Sequence, residues 1–511
     1  MDPKSAPDIL VTVDFADPTP LHRQVYQWLR DAIVLGKLPP GARLPSTRSL
    51  AGDLQIARNT VTTAFEQLRA EGYLSGRRGG GTRIHNVNPD NILLARQAVR
   101  PKGAGRAAGQ ARTPGKASAP ARRPVTSQLR LSRRGTALVT AAQLFPTAAD
   151  EPEAFSIGIP ALDEFPARLW SRLAARRWRE PPPLGSGDPA GYAPLRQAIA
   201  EYLSVARAVR CAPAQVMIVS GAQHGLDLAA RLLLDPGEAA WIEDPGYPGA
   251  RSAFEAAGGR LVPVPVDSEG MVVSDGMARE PRARLVHVTP SHQFPLGGTL
   301  SPRRRNELLA WARDAGAWVI EDDYDSEFRY AARPLPSLQG ADDHGRVIYL
   351  GTFSKTLFPG LRMGYLVLPP ALVDAFAVAR SVGDRHPPVV EQAVVADFLE
   401  GGHFVRHLRR MRKLYAERQE ALVEASRRML TGLLDVPPDA AGIHLVGRLP
   451  PGVDAVFAAV NAVGRCVRVT PLSRYASLPQ EREALLLGYA AVPVPEIHRG
   501  VERLAAALAD L

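Results

Sequence analysis

The chain has 511 residues, 45% of them apolar and 22% charged, with a formal net charge of +10. These proportions match ordinary globular proteins, so whole-chain disorder, collagen and coiled coil are excluded, and the length leaves room for about three domains. The two cysteines, Cys211 and Cys466, give neither a disulfide framework nor a paired metal-ligand spacing, and no apolar run approaches the roughly 18 residues of a membrane span. Asp2, Asp8 and Asp14 stand where a leader peptide would be basic, so a cytoplasmic protein with no membrane contact is expected.

In chain order, residues 1–85 hold eleven Lys and Arg against eight Asp and Glu. Leu21, Val25, Leu29 and Ile33 recur every four residues and predict a helix with one apolar face, ending near Gly36 ahead of Pro39 and Pro40. A second helix is expected from Ser46 or Thr47 through Leu54. A third is expected from Asn59 to Glu71, with Val61, Phe65 and Leu68 inward and Gly72 as its C-cap. The pieces flanking GRRGGGTR, from Tyr73 to Ile84, predict a tight hairpin. Three short helices and a glycine-rich hairpin make a winged helix-turn-helix over 16–85, whose third helix enters the major groove of duplex DNA. Arg43, Ser46, Arg48, Arg58, Asn59 and Thr60 supply donors near the groove-facing helix ends. Gly79, Gly80 and Gly81 let the wing backbone approach phosphates, with Thr82 and Arg83 beside them.

Residues 86–135 carry eleven basic residues against Asp90 alone and are rich in Ala, Gly and Pro with no apolar period. Such a segment buries too little to offset its ordering entropy, so a disordered basic linker is expected, acting either as a solvated tether or as a contact for a polyanion.

From residue 150 onward, strands alternate with helices. The predicted strands are Val216 to Val219, Ala239 to Ile242, Leu261 to Pro265, Leu285 to Val288, Trp318 to Ile320 and Val347 to Leu350. Short apolar runs without alternation suit a mostly parallel sheet covered on both faces, here spanning 150–370. Beyond it, amphipathic helices lead to pieces at Gly442 to Val446, Cys466 to Val469 and Ala484 to Tyr489, which predict a smaller α+β part over 371–511.

The chemistry-bearing residues cluster between Ser220 and Arg362. In TFSKTLFPGLRMGY, Lys355 follows a strand, with Thr352 and Ser354 before it and Arg362 after it. A lysine forms a Schiff base when its ammonium loses a proton easily, and a cationic neighbour in an enclosed site helps. VIEDDYDSEF places Asp322, Asp323 and Tyr324 at the carboxyl end of a strand, where α/β sheets bind ligands. One of these carboxylates could hold a pyridine nitrogen, and a tyrosine hydroxyl could hydrogen-bond a ring oxygen. Gly221, Ala222 and Gln223 open a helix after another strand, where free N–H groups favour a phosphate.

Residues 44–84, LPSTRSLAGDLQIARNTVTTAFEQLRAEGYLSGRRGGGTRI, closely resemble the DNA-binding domain of the GntR family, with Gln55 in place of the usual turn Gly and Ala57 in place of the usual Ser. Residues 150–511 resemble fold-type I pyridoxal-phosphate (PLP) enzymes of the aspartate aminotransferase class. That resemblance implies that Lys355 forms the internal aldimine, with Ser354 beside it. It also implies that Asp322, or else Asp323, pairs with the pyridine nitrogen, that Tyr324 contacts the ring hydroxyl and that Tyr247 of EDPGYPG stacks on the ring. Arg362 with Gly221, Ala222 and Gln223 would grip the phosphate. PSHQFPLGG replaces the usual Asn-Pro-x-Gly loop, which leaves His292 or Gln293 as a ring contact, and Arg474 of PLSRY takes the place of a carboxylate clamp. Together the halves resemble the MocR subfamily of bacterial GntR-type regulators. This implies a head-to-tail homodimer that reads a DNA operator and senses PLP or an amino compound; a working aminotransferase under control of its DNA-binding domain is the other reading.

Overall fold

The structure, a computed structural model, describes residues 13–15, 17, 19–34, 38, 41–70, 74–77, 81–84, 131, 132, 135, 136, 138, 139, 153–185, 187–330 and 335–511. The expected linker over 86–135 falls almost wholly outside them, as do Gly36, Gly72, Arg78, Gly79 and Gly80. The chain divides into two compact units, Met1–Arg123 and Pro124–Leu511.

In the first unit, α1 (Leu21–Val34), α2 (Thr47–Asp53) and α3 (Arg58–Ala70) precede a hairpin of β1 (Leu74–Arg77) and β2 (Gly81–Ile84). Val25 and Leu29 of α1 are fully buried against Leu50, Val61, Phe65 and Leu68, and Leu74 and Ile84 of the hairpin close the same core. Leu21 and Ile33, at the ends of the expected stripe, are only half-buried, and Ala32 takes the inner position instead. Ser46 caps α2, its Oγ accepting from the Ser49 amide at 3.1 Å, while Gln55 in the turn takes a left-handed φ of 53°. That conformation favours glycine, so Gln55 stores about 1 kcal/mol of strain. The segment before α2 pairs with the wing: the Leu44 amide donates to the Thr82 carbonyl and the Ile84 amide to that of Ala42. Arg43 therefore lies opposite Arg83 on the hairpin rather than at a helix end, which corrects the placement expected from its nearness to α2.

The second unit is built on eight strands in the order β3 (Val216–Val219), β10 (Gly364–Val367), β9 (Val347–Thr352), β8 (Trp318–Asp323), β7 (Leu285–Val288), β4 (Ala239–Asp244), β5 (Arg260–Asp267), β6 (Gly270–Met271). The stretch from β9 to β5 is parallel, and β10 runs antiparallel to both β3 and β9. Every residue of β3, β4, β7, β9 and β10 is buried because helices cover both faces, which explains the non-alternating sequence. The strand β10 escaped the sequence reading because GYLV sits only two residues after Arg362 with no turn signal between.

Residues 371–511 contribute the long helix His403–Met429 and a three-stranded antiparallel sheet in the order β11 (His444–Arg448), β13 (Ala484–Gly488), β12 (Thr470–Pro471). No strand forms over Cys466 to Val469; it starts four residues later than expected, at Thr470, because Cys466 takes a left-handed φ of 58° and Val467 makes a lone bridge to Ala154. One apolar cluster unites Phe155, Ile199, Tyr349, Val394, Leu408, Leu445 and Leu487, so 371–511 shares a core with the large sheet.

Candidate functional site

The carboxyl ends of β3, β4, β7, β8 and β9 bring the site together. Side chains alternate along β8, so its last two carboxylates point to opposite sides of the sheet. Asp323 Oδ2 accepts from Arg207 Nε at 2.7 Å and from the Tyr349 hydroxyl at 2.5 Å, and Arg207 also donates to Ser291 Oγ at 2.6 Å. Asp323 is thereby committed to a buried structural ion pair. Asp322 Oδ2 lies 3.2 Å from His287 Nε2, while its Oδ1 is buried with no partner. A buried carboxylate oxygen without a donor is costly, and a protonated ring nitrogen would satisfy it.

Lys355 follows β9, and its Nζ donates to the Gly158 carbonyl at 2.7 Å. Burial is the main cause that lowers its pKa. Arg362 adds to that lowering, while Asp325 and Asp322 oppose it. The amine is thus easier to deprotonate than an ordinary lysine, as a nucleophile requires. Gly158 has a φ of 74° and faces Nζ directly, so a side chain there would displace the amine.

An anion cradle lies at the start of the twelve-residue helix Ala222–Leu233. Gly221 occupies its N-cap with a φ of 84°, which leaves the amides of Ala222 and Gln223 without intrahelical acceptors. The Arg362 guanidinium reaches over this end: it donates to the Ser220 carbonyl at 3.3 Å and lies 3.1–3.5 Å from where a Cβ on Gly221 would sit. Arg362 holds a left-handed φ of 50°, uncommon for a residue with a side chain. Gln223 Nε2 donates to the Gly249 carbonyl at 3.0 Å, and its buried Oε1 has no partner.

Tyr247 occupies the N-cap position of the helix Pro248–Ala257 and lies near enough to Asp322 and Arg362 to feel both, its hydroxyl pushed up to about 12 by burial, then by Asp322, with Arg362 opposing. Its ring is edge-on to Phe294 at 5.9 Å. Phe294 is in turn edge-on to Tyr324 and Tyr475, forming an aromatic wall. The Tyr324 hydroxyl lies 2.9 Å from His292 Nδ1, which also faces Asp325 at 3.0 Å. Gln293 is fully buried and uses its amide on the Pro245 and Phe294 carbonyls and the Leu296 amide, so its amide shapes the loop. Ser354 is half-buried beside Lys355, its amide donating to Thr352 Oγ1 at 3.1 Å.

Arg474 is exposed on the short helix Leu472–Tyr475. That segment is fastened to the turn carrying Tyr247: the Gly246 amide donates to the Tyr475 carbonyl at 3.0 Å, and the Ser477 amide to Asp244 Oδ2 at 2.8 Å. His287, Asp325, Asp439 and Gly158 were missed by the sequence reading. A histidine inside the apolar strand LVHV was the one signal available for His287, and the others had none.

In the first unit, Arg48 on α2 and Arg58 and Asn59 on α3 are exposed, and Thr60 is half-buried at the start of α3. The Thr62 and Thr63 hydroxyls turn back onto the carbonyls of Arg58 and Asn59. Thr82 accepts from Arg69 at 2.8 Å, and Arg83 donates to the Gly41 carbonyl at 2.9 Å. Gly81 pairs with Arg77 at the start of β2.

Residues 21–84 match the family of bacterial regulatory proteins, gntR family, and residues 173–504 match aminotransferase class I and II. The probable rhizopine catabolism regulatory protein MocR of Rhizobium meliloti is 40% identical over 504 residues, covering 98% of this chain and 96% of that protein. The pyridoxine biosynthesis transcriptional regulator PdxR of Corynebacterium glutamicum is 32% identical, covering 92% of this chain and 91% of its own length. Among solved structures, the α-aminoadipate aminotransferase LysN of Thermus thermophilus, complexed with N-(5'-phosphopyridoxyl)-L-leucine, is 31% identical. It has a TM-score of 0.66 over 73% of this chain and 97% of that one. No helix among the described residues is long and apolar enough to cross a membrane.

Proposed function

Since the chain belongs to the HTH-type transcriptional regulators that join a GntR DNA-binding domain to an aminotransferase class I and II domain, we propose that it binds PLP at Lys355 and adjusts its grip on an operator when an amino compound, or PLP itself, arrives. The family implies a PLP site, and the chain's own residues fit one. The observation that carries this reading is the unpartnered, buried Asp322 Oδ1, set in one site with a deprotonation-prone lysine and an anion cradle. Asp322 would accept from the pyridine nitrogen, and Asp323, already taken by Arg207 and Tyr349, would not. Gly221, the amides of Ala222 and Gln223, and Arg362 would hold the phosphate. Tyr247 would lie along the ring, Ser354 would flank the lysine, and Tyr324 would donate to a ring oxygen. Bound there, PLP supplies an electrophilic carbon for amines and an electron-withdrawing ring.

Arg474, with its planar fork, suits a carboxylate on the effector. In the reader, Arg48, Arg58, Asn59 and Thr60 would meet the major groove, with Ser46 at the start of α2 and Arg43, Gly81 and Thr82 near the backbone. A head-to-tail homodimer in the bacterial cytoplasm accords with this scheme. Regulation then requires only that the effector bind the two states of the protein unequally.

The test is direct. Full-length protein supplied with PLP is expected to gain a visible band that borohydride fixes, and Lys355→Ala is expected to lose both. A band that survives the substitution removes Lys355 from the site. With holo-protein on operator DNA, amines are expected to change the footprint with little or no turnover. The LysN likeness favours a second reading, a working aminotransferase, and rapid multiple turnovers would establish it instead.

A further inference from the structure

His292 is 3% exposed, and both of its ring nitrogens face carboxylates. Nδ1 lies 3.0 Å from Asp325 Oδ2 and 2.9 Å from the Tyr324 hydroxyl, and Nε2 lies 3.6 Å from Asp439 Oδ2. Asp325 follows β8 of the large sheet, whereas Asp439 precedes β11 in residues 371–511, so the imidazole bridges the two parts of the unit. The fit around it is close. Gly297 and Gly442 hold left-handed φ values of 85° and 87°, and a Cβ on either would strike Asp439 or the His292 ring. His444, the remaining titratable neighbour, stacks obliquely at 5.8 Å. Burial opposes a charge on His292, but Asp325 and Asp439 outweigh it and raise its pKa to about 10. Burial and the His292 charge in turn hold His444 below the usual histidine range.

A doubly protonated ring is a donor at both nitrogens. Its Nδ1–H is shared between Asp325 and the Tyr324 oxygen, which therefore accepts. The tyrosine's own proton is then directed away from Asp325, the carboxylate that would otherwise capture it. We infer that His292, clamped between Asp325 and Asp439, is a positioning residue that keeps the Tyr324 proton available to the cofactor and makes that availability depend on where residues 439–442 sit. The ring itself need not touch the cofactor. This inference rests on the PLP reading above.

A hydrogen bond donated to a ring oxygen favours its anionic form, so weakening that bond moves the pH midpoint of the visible band upward. In holo-protein of full length, His292→Gln is expected to raise the midpoint by on the order of one pH unit. Tyr324→Phe is expected to do the same, and the double variant no more than either. Asp439→Asn, whose carboxylate is 27% exposed, is expected to give a smaller shift in the same direction, and it serves where His292→Gln does not keep its fold. An unmoved midpoint in His292→Gln and Asp439→Asn, or shifts that simply add in the double variant, would overturn the role of His292. Wild-type protein that takes up no colour would instead overturn the PLP reading itself.

Discussion

The reader and the aminotransferase-like unit dispose of their polar residues in opposite ways. In the reader, Arg48, Arg58 and Asn59 stand exposed over a closed apolar core that includes none of them. In the larger unit, Asp322, Asp323, His287 and His292 are themselves buried, and each has a polar atom paired with another buried side chain. Exposed groups can change without disturbing the fold, whereas buried ones serve folding and binding together. Substitutions in the reader should therefore separate stability from function, and those in the larger unit should not, except at an atom left without a partner, such as Asp322 Oδ1.

The sharpest contrast uses two adjacent carboxylates. Asp323→Ala strands the buried Arg207 and is expected to cost about 3–5 kcal/mol in denaturant unfolding of the larger unit. Asp322→Ala removes one oxygen that already lacks a partner and one that faces the His287 ring at 3.2 Å, with no guanidinium stranded, and is expected to cost less while abolishing retention of PLP on dialysis. Equal losses of stability would break the distinction. Arg58→Ala is expected to weaken operator binding by about 1–3 kcal/mol if it meets a base edge. Its own melting should move by less than about 0.5 kcal/mol, as for an exposed site. Smallest of all, Gln55→Gly is expected to stabilise the reader by up to about 1 kcal/mol through release of left-handed strain, with operator affinity unchanged. A loss of stability there would mean that the turn is not strained.

Sequence periodicity located most strands to within two residues, because buried parallel strands are short apolar runs bounded by turn residues. It failed where no such boundary exists, at β10, and where a left-handed residue delays a strand, at Cys466. The site divides along similar lines. Lys355, Asp322, Tyr324 and Arg362 sit within 41 residues of sequence, at the end of a strand or in the loop after one, so their pattern was visible. Asp439 and Gly158 come from distant segments and enter only through packing, which no local spacing reports. The choice between Asp322 and Asp323 could not be read from spacing either. It depends on Arg207, over a hundred residues upstream, taking one of them.

The bonds from Gly246 to Tyr475 and from Ser477 to Asp244 stitch the Arg474 segment to the turn that carries Tyr247. Those two side chains are therefore mounted on a common bracket. If the proposed roles hold, a guest that tugs at the guanidinium would also tilt the aromatic plane, and a pigment that settles against the plane would prepare the guanidinium for its guest. By thermodynamic reciprocity each should then be held more firmly in the presence of the other.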